Sequence, residues 1–371
     1  MREIPKTCKA AVLDEWATPL VVRDVGVPEI QPGAVLVKLL MTGICGSDLH
    51  EWDGTLGLGS TAKPPMIMGH ESLGEVVALG EGRTTDAADE PLKVGDRIMW
   101  AQISCYDCYF CIIEADPVRC NHKTSYGFRH PDELAGGFAE YQYLRPVTKV
   151  VKVPEELSNE EAIGIACAGR SALAGYTKMG GIGFQENVVI QGAGPIGLFA
   201  TVFCREGDAA KIIVIDSVKQ RLELAKKWGA DYCIDMNEYP DPAARKAKIL
   251  ELTNGRGPEV VIECAGVAKA FNEGLDIIQK GGRYLLLGMT GKDETTFVPS
   301  VLLQKQMRIY ATMSANISHW YKGLQFVKNN RHKYPFSELV TAKFSLNEAT
   351  EALDYMRSGK GIKPVIDLTN R

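Results

Sequence analysis

Apolar positions along the chain change their rhythm twice. Up to about residue 155 they come in short runs of strand length, such as Ala34-Val-Leu-Val-Lys-Leu-Leu-Met41 and Gly74-Glu-Val-Val-Ala-Leu-Gly80, broken by glycine and proline turns. This texture predicts an irregular, mainly β domain. Between about 185 and 310, Asn187-Val-Val-Ile-Gln191, Lys211-Ile-Ile-Val-Ile-Asp216 and Tyr284-Leu-Leu-Leu-Gly288 read as strands, while Leu198 to Cys204 and Val218 to Trp228 read as helices. Such alternation predicts βαβ units on a doubly wound parallel sheet, an α/β domain. The last stretch returns to amphipathic helix, Asn347 to Arg357, and short strand, Lys363-Pro-Val-Ile-Asp-Leu368, without another glycine-rich turn. The expected division is therefore 1–168 and 169–311, with 312–371 returning to the first domain. Residues 81–91 form a polar stretch without periodicity and are expected to be loop.

Composition narrows the class. A chain of 371 residues exceeds the usual size of one core, which agrees with two domains. With 45% hydrophobic and 24% charged residues and a net charge of −4, neither nucleic acid nor an anionic membrane is an expected partner. The longest apolar runs fall far short of the roughly 20 residues that span a bilayer. The N-terminal stretch Met1 to Cys8 lacks the apolar core of a secretory signal, so a cytoplasmic setting is expected. In a reducing compartment the ten cysteines are read as thiols or metal ligands rather than disulfides.

Three groups of residues carry chemistry. The strand Asn187–Gln191 runs into Gly192-Ala-Gly194-Pro195-Ile196-Gly197 and then a helix, the order strand, GxGxxG, helix. Gly192 would allow the tight turn, Gly194 the approach of a pyrophosphate to the backbone, and Gly197 close packing of helix on strand. Asp216 ends the next strand 22 positions beyond Gly194, where a carboxylate accepts hydrogen bonds from the adenosine ribose hydroxyls. The alternative is an N-cap for the following helix. The same carboxylate would repel a 2′-phosphate and so favours NAD over NADP, although Lys219 and Arg221 lie nearby.

The second group, Cys105-x2-Cys108-x2-Cys111-x8-Cys120, places four thiols where one tetrahedral zinc ion would be enclosed, a structural rather than catalytic site. Redox or buried free thiols are the alternative, and the flanking Tyr106, Tyr109 and Phe110 suit a metal-stitched lobe of about residues 100–125 better. The third group is dispersed: Gly43-Ile-Cys45-Gly-Ser47-Asp48-Leu-His50, and Gly69-His70-Glu71. A catalytic zinc wants three protein ligands and an exchangeable position, which Cys45, His70 and a later residue would supply. Taken singly, His70 reads as an ordinary hydrogen-bonded histidine and Cys45 as a small buried hydrophobe.

Together and in order, these motifs, with Val94-Gly-Asp-Arg97 and Gly136-Gly-Phe-Ala-Glu140, resemble the zinc-containing medium-chain dehydrogenases, a family of alcohol, sorbitol and threonine dehydrogenases. The resemblance covers nearly the whole chain. It implies a GroES-like catalytic domain beside a Rossmann domain, and a homodimer or homotetramer. It implies two zinc ions per chain: one bound by Cys45, His70 and Cys167, the other by Cys105, Cys108, Cys111 and Cys120. Glu71 resembles the acid that approaches the metal in some members, Asp48 the carboxylate that orients His70, and Ser47 and His50 the two ends of a proton relay. Lys363 falls where many members carry a basic residue against the cofactor pyrophosphate, a plain surface lysine being the alternative. Departures from the pattern are the eight residues between Cys111 and Cys120, Tyr106 after the first lobe cysteine, the 81–91 insertion and the 25-position interval from Cys45 to His70.

The activity implied is reversible oxidation of a primary or secondary alcohol, polyol or hydroxy-amino compound to aldehyde or ketone, with hydride transfer to NAD. A metal-free quinone or enone reductase of the same fold is one rival, and a non-catalytic NAD- or zinc-binding protein the other. The reductase leaves Cys45, His70 and the four-cysteine lobe without a purpose, and intact Ser47, Asp48, His50 and Cys167 argue against the non-catalytic reading. Trp52, Trp100 and Tyr126 are candidates for an aromatic pocket, with core packing the stronger reading. No residue selects the alcohol.

Overall fold

The computed structural model describes residues 4–56 and 62–369, so Met1–Glu3 of the N-terminal stretch read above lie outside the described residues. The chain divides into two compact units, residues 1–167 with 314–371, and residues 168–313. In the first unit a seven-stranded sheet is built around the long strand Val35–Gly43. That strand pairs antiparallel with Glu71–Leu79 on one side and with Lys363–Asp367 and Tyr141–Leu144 on the other. The chain segment after residue 314 thus contributes a strand to a sheet begun near residue 35. A small second sheet joins Val21–Gly26, Thr7–Leu13 and Met66–Ile67.

Consecutive as well as alternating positions of these strands form one apolar core, to which Val12, Leu36, Ile67, Val76 and Ile366 contribute together with Phe138 from a loop. Trp52, Trp100 and Tyr126 belong to this core, being 6%, 6% and 1% exposed, which settles them as packing residues. The Tyr126 hydroxyl is satisfied by the Thr148 hydroxyl at 2.5 Å and the Arg145 amide at 2.9 Å, as burial of a phenol requires. The aperiodic 81–91 stretch is tied down by one side chain. Asp86 accepts from the amides of Ala88 (2.7 Å), Glu90 (3.1 Å) and Lys152 (3.0 Å), so hydrogen bonds replace the missing apolar pattern.

The second unit holds six strands, labelled β1 (Asn187–Gln191), β2 (Lys211–Asp216), β3 (Tyr232–Asp235), β4 (Val260–Glu263), β5 (Arg283–Leu286) and β6 (Arg308–Ala311). All pairings are parallel and the spatial order is 3-2-1-4-5-6. That is the doubly wound Rossmann order, with its reversal between β1 and β4. Both faces are covered by helices such as Pro195–Glu206, Lys219–Lys227, Pro242–Leu252 and Ala268–Ile277. Strands buried on both faces need continuous rather than alternating apolar runs, and β2 is buried from Ile212 to Asp216. The predicted helix Leu198–Cys204 extends over Pro195–Glu206, because proline is well suited to the first helical turn.

Candidate active site

In the first unit, antiparallel register builds the site. Gly43 pairs with Glu71 where the strand Val35–Gly43 ends and Glu71–Leu79 begins. Cys45, two residues past one strand, and His70, one residue before the other, therefore meet although 25 positions separate them. Val365 pairs with Gly43 from the other side, which carries Lys363 to the same place. Gly69, at φ +87°, must be glycine, since a Cβ there would lie 2.5 Å from the Phe138 ring.

The ligating atoms of Cys45, His70, Glu71 and Cys167 all lie within 4.8 Å of one another. Cys167 arrives from a different direction, at the end of the short 3-10 turn Gly164–Ala166. Asp48 fixes two members at once: Oδ2 accepts the Cys45 amide at 2.8 Å, and Oδ1 lies 3.3 Å from His70 Nδ1. This leaves Nε2 as the imidazole nitrogen facing the cluster. The Ser47 hydroxyl is 3.5 Å from that Nε2, and His50 lies half-buried on the same helix, Gly46–Trp52.

The electrostatics of the cluster suit a cation. The Cys45 thiol is pushed up to about 11 by the adjoining Cys167 thiol and by burial. Burial opposes the charged form of His70, but Asp48 outweighs it and holds the imidazole well above its usual value. Glu71 is also raised by burial, an effect that Lys363 partly offsets. Its Oε2 pairs with Lys363 Nζ at 2.6 Å, while Oε1 is buried without a hydrogen-bond partner. An orphaned carboxylate oxygen beside two thiols and an imidazole is a donor set that a metal cation would satisfy.

Lys363 requires a correction. Expected against a cofactor pyrophosphate or on the open surface, it is 2% exposed, and its ammonium is committed to Glu71 and to the Ile44 carbonyl at 3.1 Å. Burial alone would lower its pKa, but Glu71 and the thiols of Cys45 and Cys167 raise it, so it stays charged. The Glu71–Lys363 pair escaped sequence reasoning. Its one available signal was a lysine opening an apolar strand, Lys363-Pro-Val-Ile. The structure also explains Gly43, since a Cβ there would lie 2.4 Å from Glu71 Oε2.

The four lobe cysteines form a second cluster. Cys105–Cys120, Cys108–Cys111, Cys105–Cys111 and Cys108–Cys120 sulfurs are 3.4, 3.6, 4.0 and 4.0 Å apart. Four sulfurs around one tetrahedral zinc would sit roughly 3.8 Å apart, from a Zn–S bond near 2.3 Å. Backbone amides of Cys105 and His122 donate to the Cys120 sulfur, each at 3.3 Å. Amides of Asn121 and Cys111 lower Cys108 to about 6, which favours the thiolate that a metal needs. The eight-residue spacing is absorbed by the short helical turns Tyr109–Ile112 and Pro117–Arg119.

In the second unit the glycine-rich turn lies between β1 and the helix Pro195–Glu206, whose N-cap Gly194 provides no side-chain cap. A Cβ at Gly197 would sit 1.9 Å from the Gly192 carbonyl, and one at Gly194 would project into open space. The first glycine permits packing and the second leaves uncapped amides accessible, an arrangement suited to a phosphate. Pro195 and Ile196 occupy the first helical turn. Asp216 accepts the Ala193 amide at 2.7 Å and the Val218 amide at 2.8 Å, fastening the turn to the end of β2. It is not the N-cap of the next helix, since Val218 holds that position.

A two-unit chain with a Rossmann sheet in one unit and two sulfur-rich donor clusters in the other defines a metallo-dehydrogenase class. Comparison with known proteins makes the family explicit. The alcohol dehydrogenase GroES-like domain matches residues 31–155 and the zinc-binding dehydrogenase domain residues 195–329. The chain is 35% identical to 5-exo-hydroxycamphor dehydrogenase of Pseudomonas putida, covering 91% of this chain and 92% of that protein. It is 32% identical to L-threonine 3-dehydrogenase of Pyrococcus horikoshii, over 93% and 94% respectively. The crystal structure of an alcohol dehydrogenase from Thermotoga maritima superposes with a TM-score of 0.89 at 31% identity, covering 97% of this chain and 99% of the other. The chain belongs to the zinc-containing medium-chain dehydrogenases. It is a dehydrogenase that oxidises alcohols.

Proposed function

We propose that this dehydrogenase oxidises secondary alcohols to ketones, using NAD and a catalytic zinc held by Cys45, His70 and Cys167, with a second, structural zinc in the four-cysteine lobe. The observation that carries this reading is the donor set within 4.8 Å that leaves Glu71 Oε1 unsatisfied. Two relatives favour secondary alcohols by their names alone, since a 5-exo-hydroxyl on camphor and the 3-hydroxyl of threonine both sit on secondary carbons.

When bound, zinc supplies Lewis-acid polarisation of the substrate oxygen and NAD supplies a hydride acceptor. The rest belongs to the chain. Asp48 accepts the Nδ1 proton of His70, which would leave Nε2 free to hold a zinc ion. Ser47, at hydrogen-bond distance from the His70 ring, would accept the substrate hydroxyl proton as it releases its own hydroxyl proton toward His50. His50, three positions further on, shares its helical face and passes protons outward. Glu71 stands by as an alternate ligand, restrained by Lys363. Gly192, Gly194, Pro195, Ile196 and Gly197 present the helix N-terminus to the pyrophosphate, and the remaining acceptor capacity of Asp216 serves the adenosine ribose.

Other expectations have narrower support. Among the described residues no helix is long and apolar enough to cross a membrane; separately, six free cysteines gathered in two clusters suit a cytoplasmic setting. A homodimer or homotetramer is supported by β6, an unpaired sheet edge next to the exposed Leu303, Ile309 and Met313. The decisive experiment is a screen of secondary and primary alcohols, diols and hydroxy-amino compounds for reduction of NAD, with NADP in parallel and zinc measured on the same preparation. Zinc-free protein with full activity on an enone would establish the reductase instead.

A further inference from the structure

Glu263, the last residue of β4, is 0% exposed, and no ion pair engages its carboxylate among the described residues. Its partners are backbone amides. Oε1 accepts from Ala265 at 2.7 Å and Gly266 at 2.8 Å, and Oε2 accepts from Gly288 at 3.2 Å. Its own carbonyl accepts from Leu287 at 2.9 Å and again from Gly288 at 3.0 Å. One residue thereby fastens the loop that follows β4 to the loop that follows β5. The packing leaves no slack: a Cβ at Gly288 would lie 2.3 Å from Glu263 Oε2 and 2.3 Å from the Gly266 nitrogen, and one at Gly192 would lie 2.8 Å from Ala265.

A buried carboxylate without a cation is costly, and burial raises its pKa against the stabilising amides of Gly266, Ala265 and Gly288. Its position in the sheet explains why the fold tolerates it. Glu263 pairs in register with Gln191 across β1 and β4, where the strand order reverses and where a dinucleotide lies across the crevice at the carboxyl ends of the strands. Asp216 marks the β1–β2 side for adenosine, which leaves the loops after β4 and β5 for the other half of the dinucleotide.

We propose that Glu263 is a positioning residue for the nicotinamide half of the cofactor site, holding the backbone of residues 264–267 and 287–289 in the shape that receives that half. The inference rests on the NAD reading above. A carboxylate suits this task because it only accepts, whereas the isosteric glutamine would turn an NH2 donor toward amide donors.

The test is calorimetric titration of the full chain with NAD and, separately, with ADP-ribose, which lacks nicotinamide. Glu263→Gln should weaken NAD about tenfold or more and leave ADP-ribose within about twofold of wild type. Glu263→Asp, which keeps an acceptor of the same charge but withdraws it from the two loops, should show the same split and covers a Glu263→Gln variant that does not fold. Unchanged NAD affinity in both variants overturns the inference. Equal weakening of both ligands also overturns it, because Glu263 would then support the sheet as a whole. Failure of wild type to bind either ligand removes the NAD reading itself, and Glu263's role with it.

Discussion

The two thiol clusters are built in opposite ways. The lobe cluster draws four identical donors from the 16 residues Cys105–Cys120, all four sulfurs held by nearby amides or by each other. The other draws two thiols, an imidazole and a carboxylate from positions 45 to 167 and adds a buried lysine from position 363. Under the function proposed above, the first set would close around an ion and leave no position free. The second has mixed donors, one of them an oxygen restrained by a counter-ion, and such incomplete sets are what exchange requires. A closed shell holds the fold, and an open one does chemistry.

Substitutions can break this contrast. The largest effect is expected for Cys45→Ser, which removes a ligand of the open cluster: turnover should drop by on the order of a thousandfold, as loss of several kcal/mol of charge stabilisation implies, while circular dichroism stays native. Next is Lys363→Met, which strands the Glu71 carboxylate in the interior. Denaturant unfolding should show a loss of about 3–5 kcal/mol, largely recovered in the Glu71→Gln, Lys363→Met pair. NAD affinity should be unchanged by Lys363→Met, and a marked loss would restore the pyrophosphate role. Asp48→Asn should then lower zinc affinity of the open cluster by roughly 10–100-fold, measured by competition with a chelator. The smallest effect on chemistry is expected for Cys111→Ser. Melting should fall by several degrees as the lobe loses its metal, and turnover per folded chain should remain within about threefold of wild type.

Different physical reasons decide how much of this was legible in the sequence. The Rossmann unit announces itself because strands buried on both faces must be continuous apolar runs, and β1 and β2 coincide residue for residue with the runs Asn187–Gln191 and Lys211–Asp216. The lobe cluster is legible because its donors are neighbours in sequence. The open cluster depends on the pairing of Gly43 with Glu71 and of Val365 with Gly43, a tertiary register that no local pattern encodes. Family resemblance supplied its donors, but the partner of Lys363 is set by tertiary pairing alone. Glu263 was hidden for a related reason: its hydrogen bonds go to backbone amides, which leave no trace in side-chain identity except the glycine at 288.

The most direct test of the account is the zinc content of Cys45→Ser beside wild type, measured with turnover on the same samples. The account predicts about two zinc ions per wild-type chain, and about one in the variant with turnover lost. Wild-type turnover in a variant whose open cluster holds no zinc would contradict it.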